Sequence, residues 1–446
     1  MTQDRPLAVV ILAAGKGTRM KSDKPKVMHE LAGLPMINWL ISSVETLNPE
    51  KIVVVTAEGM DDVRQAVQPH TITIQEKQNG TGDAVKSALP ALEGFNGEVL
   101  ILLGDAPLIT PETIEDLVET LRFDPASGLA VLGVELEDPT GYGRLIADDD
   151  GQLVGIVEHK DCTEEQLECN VVNTGAFCVK GEKLASWLDK LSTNNAQGEF
   201  YFTDIPAIAL DDGYKTEVCI TQDGMEVQGV NTRTQLAELE GELQERLREL
   251  AMDSGVTMLN PESVYLSYDV EFGQDVVLEP NVFIGKNVKI GNNVRIKAFS
   301  HLEGCEVVGG SDIGPFARLR PGAYISEKAR IGNFVEVKNA HIGKGSKANH
   351  LAYIGDAEIG EGSNIGAGTI TCNYDGFKKH KTSIGNNVFV GSNSTLVAPV
   401  SLEDGVFVAA GSTIAENIPN DALAVARNRP IIRDGWASEF REKNKK

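Results

Sequence analysis

Two hydrophobic rhythms run along the chain, and one gives way to the other near residue 255. Before that point, short apolar runs at 7–12, 51–56, 71–75, 98–103 and 128–134 alternate with helical periodicity at 35–47, 60–67, 84–92 and 111–121. Apolar runs of this length bounded by turn signals read as buried strands, and their alternation with helices predicts a mostly parallel sheet covered on both faces. Ligands on such sheets bind beyond the carboxyl ends of the strands. From 232 to 252, Leu236, Leu239, Leu243, Leu247 and Leu250 recur at helical spacing among charges, and Gly255 follows as a stop. This segment predicts an amphipathic helix that also serves as a stiff connector.

After residue 260 an aliphatic residue followed by glycine returns at steps of six or its multiples, as at Ile284, Ile290, Ile313, Ile331, Ile342, Ile354, Ile365, Ile384 and Val390. Hexapeptide repeats build a parallel β-helix with about 18 residues per triangular coil, the aliphatic side chains stacking inside. The register breaks at 373–380, which reads as a loop ejected from the coil. Loops that interrupt a rigid repeat often carry function. The segment 270–310 reads as less regular than the rest. Prisms of this architecture commonly associate side by side, so a homotrimer with sites between prisms is expected.

Composition narrows the partners. A net charge of −24 speaks against nucleic acid or an anionic membrane surface. No run is long and apolar enough to span a bilayer. The six cysteines show no CxxC and no zinc-site spacing, which fits reduced thiols in the cytoplasm.

The first candidate chemistry is the string Leu12-Ala13-Ala14-Gly15-Lys16-Gly17-Thr18-Arg19-Met20, followed by Pro25-Lys26. It follows a predicted strand. Its glycines let backbone N–H groups approach phosphates, and Lys16, Arg19 and Lys26 add positive charge. The string is neither the Walker nor the dinucleotide pattern. In the repeat half, Arg320 and Lys338 lie 18 residues apart and should stack on one prism face. Two cations without obvious acidic partners read as a phosphate site. His350, close in sequence to Tyr353, is the natural general base, since imidazole titrates near neutrality. Direct transfer needs no nucleophile, so Cys372 reads as a small residue of the coil.

Residues 12–26 match the signature L-x-x-G-x-G-T-x-M with a downstream P-K, and so resemble the nucleoside-diphosphate-sugar pyrophosphorylases. With the repeats attached, nearly the whole chain resembles the bifunctional bacterial N-acetylglucosamine-1-phosphate uridylyltransferase / glucosamine-1-phosphate N-acetyltransferase family. The resemblance implies a Rossmann-like nucleotidyltransferase domain at 1–231, a linker helix at 232–255, and a left-handed parallel β-helix with a C-terminal tail at 256–446. It implies UTP and acetyl-CoA as co-substrates and Mg²⁺ as cofactor. The nucleotide falls to Leu12, Ala13, Ala14 and Gly15, a phosphate to Lys26, the uracil to Gln75, with Gly80 and Thr81 following. Leu103, Gly104 and Asp105 form the strand-end element, with Asp105 and Asn231 as metal ligands. Gly143, Glu158 and Asn173 hold the N-acetylglucosamine moiety. Leu103 stands where many relatives carry an aromatic residue.

For acetyl transfer, the resemblance assigns Arg320, Lys338, Tyr353 and Asn364 to glucosamine-1-phosphate and makes His350 the base. Ala367, Asn373, Tyr374, Ser392, Ala410 and Arg427 line the acetyl-CoA site, the tail around Arg427 reaching a neighbouring subunit. The product feeds peptidoglycan and, in some bacteria, lipopolysaccharide. The repeat before Gly314 looks about one coil shorter than the family pattern. Two other readings stand beside this one: a monofunctional pyrophosphorylase with a structural or regulatory β-helix, and a scaffold that binds nucleotide sugars without turnover.

Overall fold

The structure, a computed structural model, describes residues 5–149, 152–428 and 430–445. It divides into two compact units, residues 1–243 and 244–446, and the division falls inside the helix Arg233–Asp253.

Unit 1 is built on a sheet whose main strands are Leu7–Leu12 (β1), Lys51–Ala57 (β2), Thr71–Gln75 (β3), Glu98–Leu103 (β4), Ser127–Glu135 (β5), Val171–Lys180 (β6) and Lys215–Thr221 (β7). Their order is β7-β5-β6-β4-β1-β2-β3. Side chains alternate between faces along a strand. Val9 and Ile11 of β1 therefore pack with Ile37 and Leu40 of the helix Met36–Glu45 and with Ile114 and Leu117 of Pro111–Phe123. Ala8 and Val10 pack on the other side with Val85, Leu184 and Trp187. Both faces of β1 are thus covered, which is why its run is apolar without alternation. The helix Pro111–Phe123 starts where the Thr110 hydroxyl accepts from the Thr113 N–H, with Pro111 in the first turn.

Among these main strands the sheet is parallel except at β6, which runs against β4 and β5. That reversal matters for function. β1 and β4 end side by side at the Leu12↔Leu103 pair, and β2 and β3 at Ala57↔Gln75. Because Phe177 pairs with Ile101, the earlier residues Asn173–Gly175 of β6 arrive at the same edge as those strand ends. A short hairpin, Arg144–Ala147 with Leu153–Val157, extends this side.

Unit 2 is a left-handed parallel β-helix of two- to seven-residue strands. Ile284, Ile296, Leu302, Ile313, Leu319, Ile331 and Ile354 point inward and are buried. Each such side chain contributes roughly 1.5–3 kcal/mol when fully buried. Asn281, Asn287 and Asn293 take positive φ at corners, a conformation asparagine tolerates better than most side chains. At another corner, Phe299, Phe316 and Phe334 also take positive φ, and their rings stack with centroids 4.9 and 5.0 Å apart.

The coil length varies around the expected 18. Phe283 pairs with His301, but Lys289 pairs with Glu306 and Arg330 with Lys347, one residue short. Across the ejected loop the step is 25, as in Asn364↔Phe389. The expected irregularity of 270–310 is corrected: strands there recur at steps of six, shortened once between His301–Leu302 and Glu306–Val307.

Candidate active sites

The loop after β1 is pinned where it leaves the strand. The Ala13 N–H donates to Val55 C=O at 2.8 Å, and the Leu12 C=O accepts from Gly104 N–H at 2.9 Å. Gly17 has φ +58°, and a Cβ there would lie 2.7 Å from Cβ of Lys26, so the fold itself requires this glycine. Gly15 differs. Its φ is not positive and a Cβ would meet nothing within 4 Å. The space beside it belongs to a cleft of about 450 Å³ lined by Leu12, Ala13, Ala14, Gly15, Lys26, Gln75, Gly80, Thr81, Leu103 and Asp105.

Gln75 is buried at the end of β3. Its amide nitrogen donates to Gly80 C=O at 3.1 Å and to Asp83 at 2.9 Å, which leaves its carbonyl oxygen as the acceptor for a ligand. Gly80 has φ +109°, and a Cβ would stand 2.5 Å from the Phe200 carbonyl. The turn before the helix Thr81–Ala88 therefore lies directly on the 200 segment, and the Thr81 hydroxyl accepts from Phe202 N–H at 3.0 Å.

A second cleft, of about 320 Å³, is lined by Gly143, Glu158, Asn173 and Asn231, and shares Leu12, Thr81, Leu103 and Asp105 with the first. The Gly143 C=O accepts from Asn173 N–H at 2.8 Å, and the Asn173 side chain accepts from Gly175 N–H at 3.0 Å. Gly175 has φ +86°, and a Cβ would fall 2.4 Å from Leu103. Leu103 thus packs directly on Gly175 and forms a wall common to both clefts. Burial raises the Glu158 carboxyl above the usual glutamate range; its hydrogen bond from Thr203, 3.2 Å, opposes this, and Asp161 and Asp204 add to it. Tyr142 belongs to the 140–144 segment that resembles a sugar-holding element, in which the sequence assigned only Gly143. It lines this cleft, and burial together with the Asp105 carboxylate raises its phenol. The buried Arg144 holds the turn in place through the carbonyls of Pro139 and Tyr142.

Where the two clefts meet, Asp105, Asn231 and Lys26 converge. The Lys26 ammonium donates to the Asp105 carboxylate and to Asn231 Oδ1, the latter at 3.0 Å. Val230 N–H donates to Asp105 C=O at 2.9 Å, which ties the two segments together. Two side-chain oxygens already converge on one positive charge. That donor set fits a hard divalent cation, which typically takes one or two protein oxygens plus phosphates and water.

In unit 2 the expected stacking of Arg320 and Lys338 is present. Arg320 follows the Leu319↔Val337 pair, and its N–H donates to Val337 C=O at 2.9 Å. The expectation that these cations lack acidic partners is corrected: the Arg320 guanidinium pairs with Glu336 at 2.7 Å. Glu336 sits two residues before Lys338 in the next coil, within diagonal reach of a long side chain. Lys338 is held below the usual lysine range by Lys379 and then Arg320. Lys379, in the ejected loop, is a cation the spacing did not reveal. Tyr353 lies in the coil above, opposite Glu336.

His350 and Asn364 belong to the ten-stranded stack, whereas Lys338 and Tyr353 lie in the fifteen-stranded one and Arg320 directly follows its strand Arg318–Leu319. His350 is exposed, and its Nδ1 lies 2.6 Å from Oδ1 of Asn333. Asn373 donates to Asp356, which also accepts from Asn339 at 2.6 Å. Burial opposes ionisation of Asp356, but these bonds and the ammonium groups of Lys379 and Lys338 prevail and hold its carboxyl low. Asp375 shapes the loop. N–H groups of Lys378 and Phe377 and the ring of His380 donate to it and hold it far below the usual range. Tyr374 is exposed, its hydroxyl bonded to Gly376 C=O at 2.6 Å. Ala367, Ser392, Ala410 and Arg427 form a ladder along one corner: Asn393 N–H donates to Ala367 C=O, Gly411 N–H to Ser392 C=O, and Arg427 to Ala410 C=O at 2.8 Å. A groove of about 560 Å³ over the corner turns at Gly343, Gly360 and Gly385 contains none of the expected site residues.

Comparison with known proteins decides the family. The chain is similar to the bifunctional protein GlmU of Zymomonas mobilis subsp. mobilis, 48% identical with all of both chains covered. It is 49% identical to that of Paramagnetospirillum magneticum, over 98% of this chain and 96% of the relative. It is also 49% identical to that of Pseudomonas syringae pv. syringae, over 96% and 98%. The chain belongs to the bifunctional GlmU family. Residues 9–164 match the MobA-like NTP transferase domain, 269–304 the bacterial transferase hexapeptide repeats, and 381–416 the hexapeptide repeat of succinyl-transferase. It is a two-activity enzyme, an N-acetyltransferase and a uridylyltransferase, that makes UDP-N-acetylglucosamine. The readings as a monofunctional pyrophosphorylase or a non-catalytic scaffold fall away. No described helix is long and apolar enough to cross a membrane.

Proposed function

We propose that uridylyl transfer runs across the two clefts of unit 1, with UTP in the first and N-acetylglucosamine-1-phosphate in the second. The observation that carries this is the position of Asp105, which lines both clefts and meets Lys26 and Asn231 at their junction. Gln75 reads uracil with its free carbonyl oxygen, which accepts from the N3–H that cytosine lacks. The loop 12–15 and Lys26 receive the triphosphate. Gly143, Glu158 and Asn173 hold the sugar so that its phosphate oxygen faces the α-phosphorus. That oxygen attacks, the bond to the β-phosphate oxygen breaks, and pyrophosphate leaves. Mg²⁺, held by Asp105 and Asn231, would supply neutralisation of the phosphate charge. The protein's own contribution is positioning together with the fixed donors of the loop and Lys26.

Acetyl transfer precedes this step and belongs to unit 2. Arg320, Lys338, Tyr353 and Asn364 bind glucosamine-1-phosphate, and His350 takes the proton of the attacking amine. Ala367, Asn373, Tyr374, Ser392, Ala410 and Arg427 receive acetyl-CoA. These residues occupy two faces of one prism, and we infer that a homotrimer closes the site between neighbouring prisms. The exposed ridge of Phe299, Phe316, Phe334 and Leu351 supports this, because Phe334 and Leu351 directly follow Asn333 and His350. The free thiols of the described cysteines fit a cytoplasmic setting.

The test is sedimentation of the full chain together with product analysis. With glucosamine-1-phosphate, acetyl-CoA, UTP and Mg²⁺, the expected species has three times the 48.0 kDa chain mass and releases CoA and UDP-N-acetylglucosamine. A monomer fully active in acetyl transfer would end the shared-site reading.

A further inference from the structure

His350 projects from the end of the strand Lys347–His350, and Asn333 from the equivalent end of Arg330–Asn333 one coil below. The two are register partners. The backbone fixes both ends of the contact, since Leu351 N–H donates to Asn333 C=O at 3.0 Å. The residues that follow, Phe334 and Leu351, both take positive φ, +56° and +51°. The chain therefore turns the same corner in both coils, and the two side chains leave it in parallel. Their polar ends meet at 2.6 Å, between Nδ1 of the imidazole and the carbonyl oxygen of the amide.

A carbonyl oxygen only accepts, so Nδ1 must carry the proton. In a neutral imidazole the lone pair is then on Nε2. We propose that Asn333 is a positioning residue for acetyl transfer, which holds His350 in the tautomer whose Nε2 accepts the proton of the substrate amine. The proposal rests on His350 as the base. The step balances on this geometry. The amine nitrogen bonds to the acyl carbon, the carbon–sulfur bond of the thioester breaks, and the sulfur leaves as thiolate. The amine proton goes to Nε2 and is then passed to the thiolate or to solvent. While Nε2 holds it, the Nδ1–H bond to Asn333 becomes charge-assisted and so stronger. An amide suits this task because it orients the ring without adding a fixed negative charge.

Sequence gave no sign of this pair, because the two residues are 17 apart where a coil of 18 was expected. The test compares Asn333→Leu, which removes the acceptor, with Asn333→Asp, which keeps one. In Asn333→Leu the kcat of acetyl transfer should fall about 10- to 100-fold, the range seen when a partner that orients an imidazole is removed. KM for both substrates should stay within about two-fold. Nitrogen-15 NMR of the ring should show loss of the Nδ1–H tautomer. Asn333→Asp should restore that tautomer and most of the kcat. Uridylyl transfer and sedimentation serve as controls for folding. Unchanged kcat in Asn333→Leu, or a kcat loss with an unchanged tautomer, would overturn the proposal. His350→Ala separates the two levels: if it keeps acetyl transfer, the base assignment fails, whereas a dead His350→Ala beside a fully active Asn333→Leu removes only the positioning role.

Discussion

The two units present their chemistry in opposite ways. In unit 1 the proposed site residues come from the ends of β1, β3 and β4, the start of β6 and several connecting segments. The sheet brings them to one edge, and a single chain encloses both clefts. In unit 2 the proposed site residues come from successive coils, Arg320 and Lys338 at equivalent positions and Tyr353, His350 and Asn364 at others. They are ordered by the repeat but stay on the surface, split between two faces. A sheet edge gathers distant residues by topology. A prism lines them up along its surface. On the proposed reading, one fold makes a pocket and the other makes half of one.

The sharpest way to break this contrast is to remove the junction of unit 1. Asp105→Ala should lower uridylyl transfer by about 10³-fold, the scale on which a preorganised charge-stabilising group acts. Acetyl transfer should stay within two-fold, and pyrophosphate release against CoA release checks both. Next in size, His350→Ala should lower acetyl transfer by about 10²-fold or more and leave uridylyl transfer intact. Loss of both activities in either folded variant would mean that the sites are not independent. A third experiment addresses enclosure. If neighbouring chains complete the site, mixing and reassembling His350→Ala with Arg427→Ala should regain acetyl transfer that neither has alone. No such recovery is expected for pairs of unit 1 variants.

Smaller effects separate fold from ligand within one loop. Gly17→Ala should destabilise unit 1 by about 1 kcal/mol or more, since its φ is positive and Lys26 crowds the new methyl. Gly15→Ala should change stability by less than about 0.5 kcal/mol yet raise the KM for UTP, because a methyl there meets only cleft. Thermal melts and initial rates distinguish the two. The smallest effect concerns the ejected loop. The folded Asp375 carboxyl is depressed, so its support of the loop is present above the ordinary aspartate pKa and fades as pH falls toward the folded value. The amide shifts of Phe377 and Lys378 in an acid titration report it.

Much of unit 1 was legible because its signals are local. β1 to β5 are short apolar runs, and the nucleotide-facing elements after β1, β3 and β4 follow them directly, whereas β6 and β7 mix polar residues into theirs. The roles of Gly15 and Gly17 were not separable in sequence, since only packing against Lys26 distinguishes them. The segment 140–144 was legible as a sugar-holding element, but the closeness of Tyr142 to Asp105 was not, since it depends on how the hairpin and the reversed β6 are placed. In unit 2 the repeat itself was plain, and Arg320 above Lys338 followed from it. What the repeat concealed were contacts that depart from a fixed coil length. Glu336 reaches Arg320 diagonally, Asn333 meets His350 across a shortened coil, and Lys379 approaches Lys338 from a loop with no register at all.

The step of 25 residues across that loop has one more consequence. Asn364 pairs with Phe389, and Ile370 with Thr395, as neatly as any coil whose turns are tight. The prism keeps count by side-chain layers, not by residues. Extra chain at a corner is bookmarked out of the stack, and the strands on either side close up as though it were absent. A corner is therefore a port where length and composition can change without disturbing the layers above and below. It is the natural place to graft a label or a new recognition segment, and to alter which acyl carrier the enzyme accepts while the scaffold stays the same.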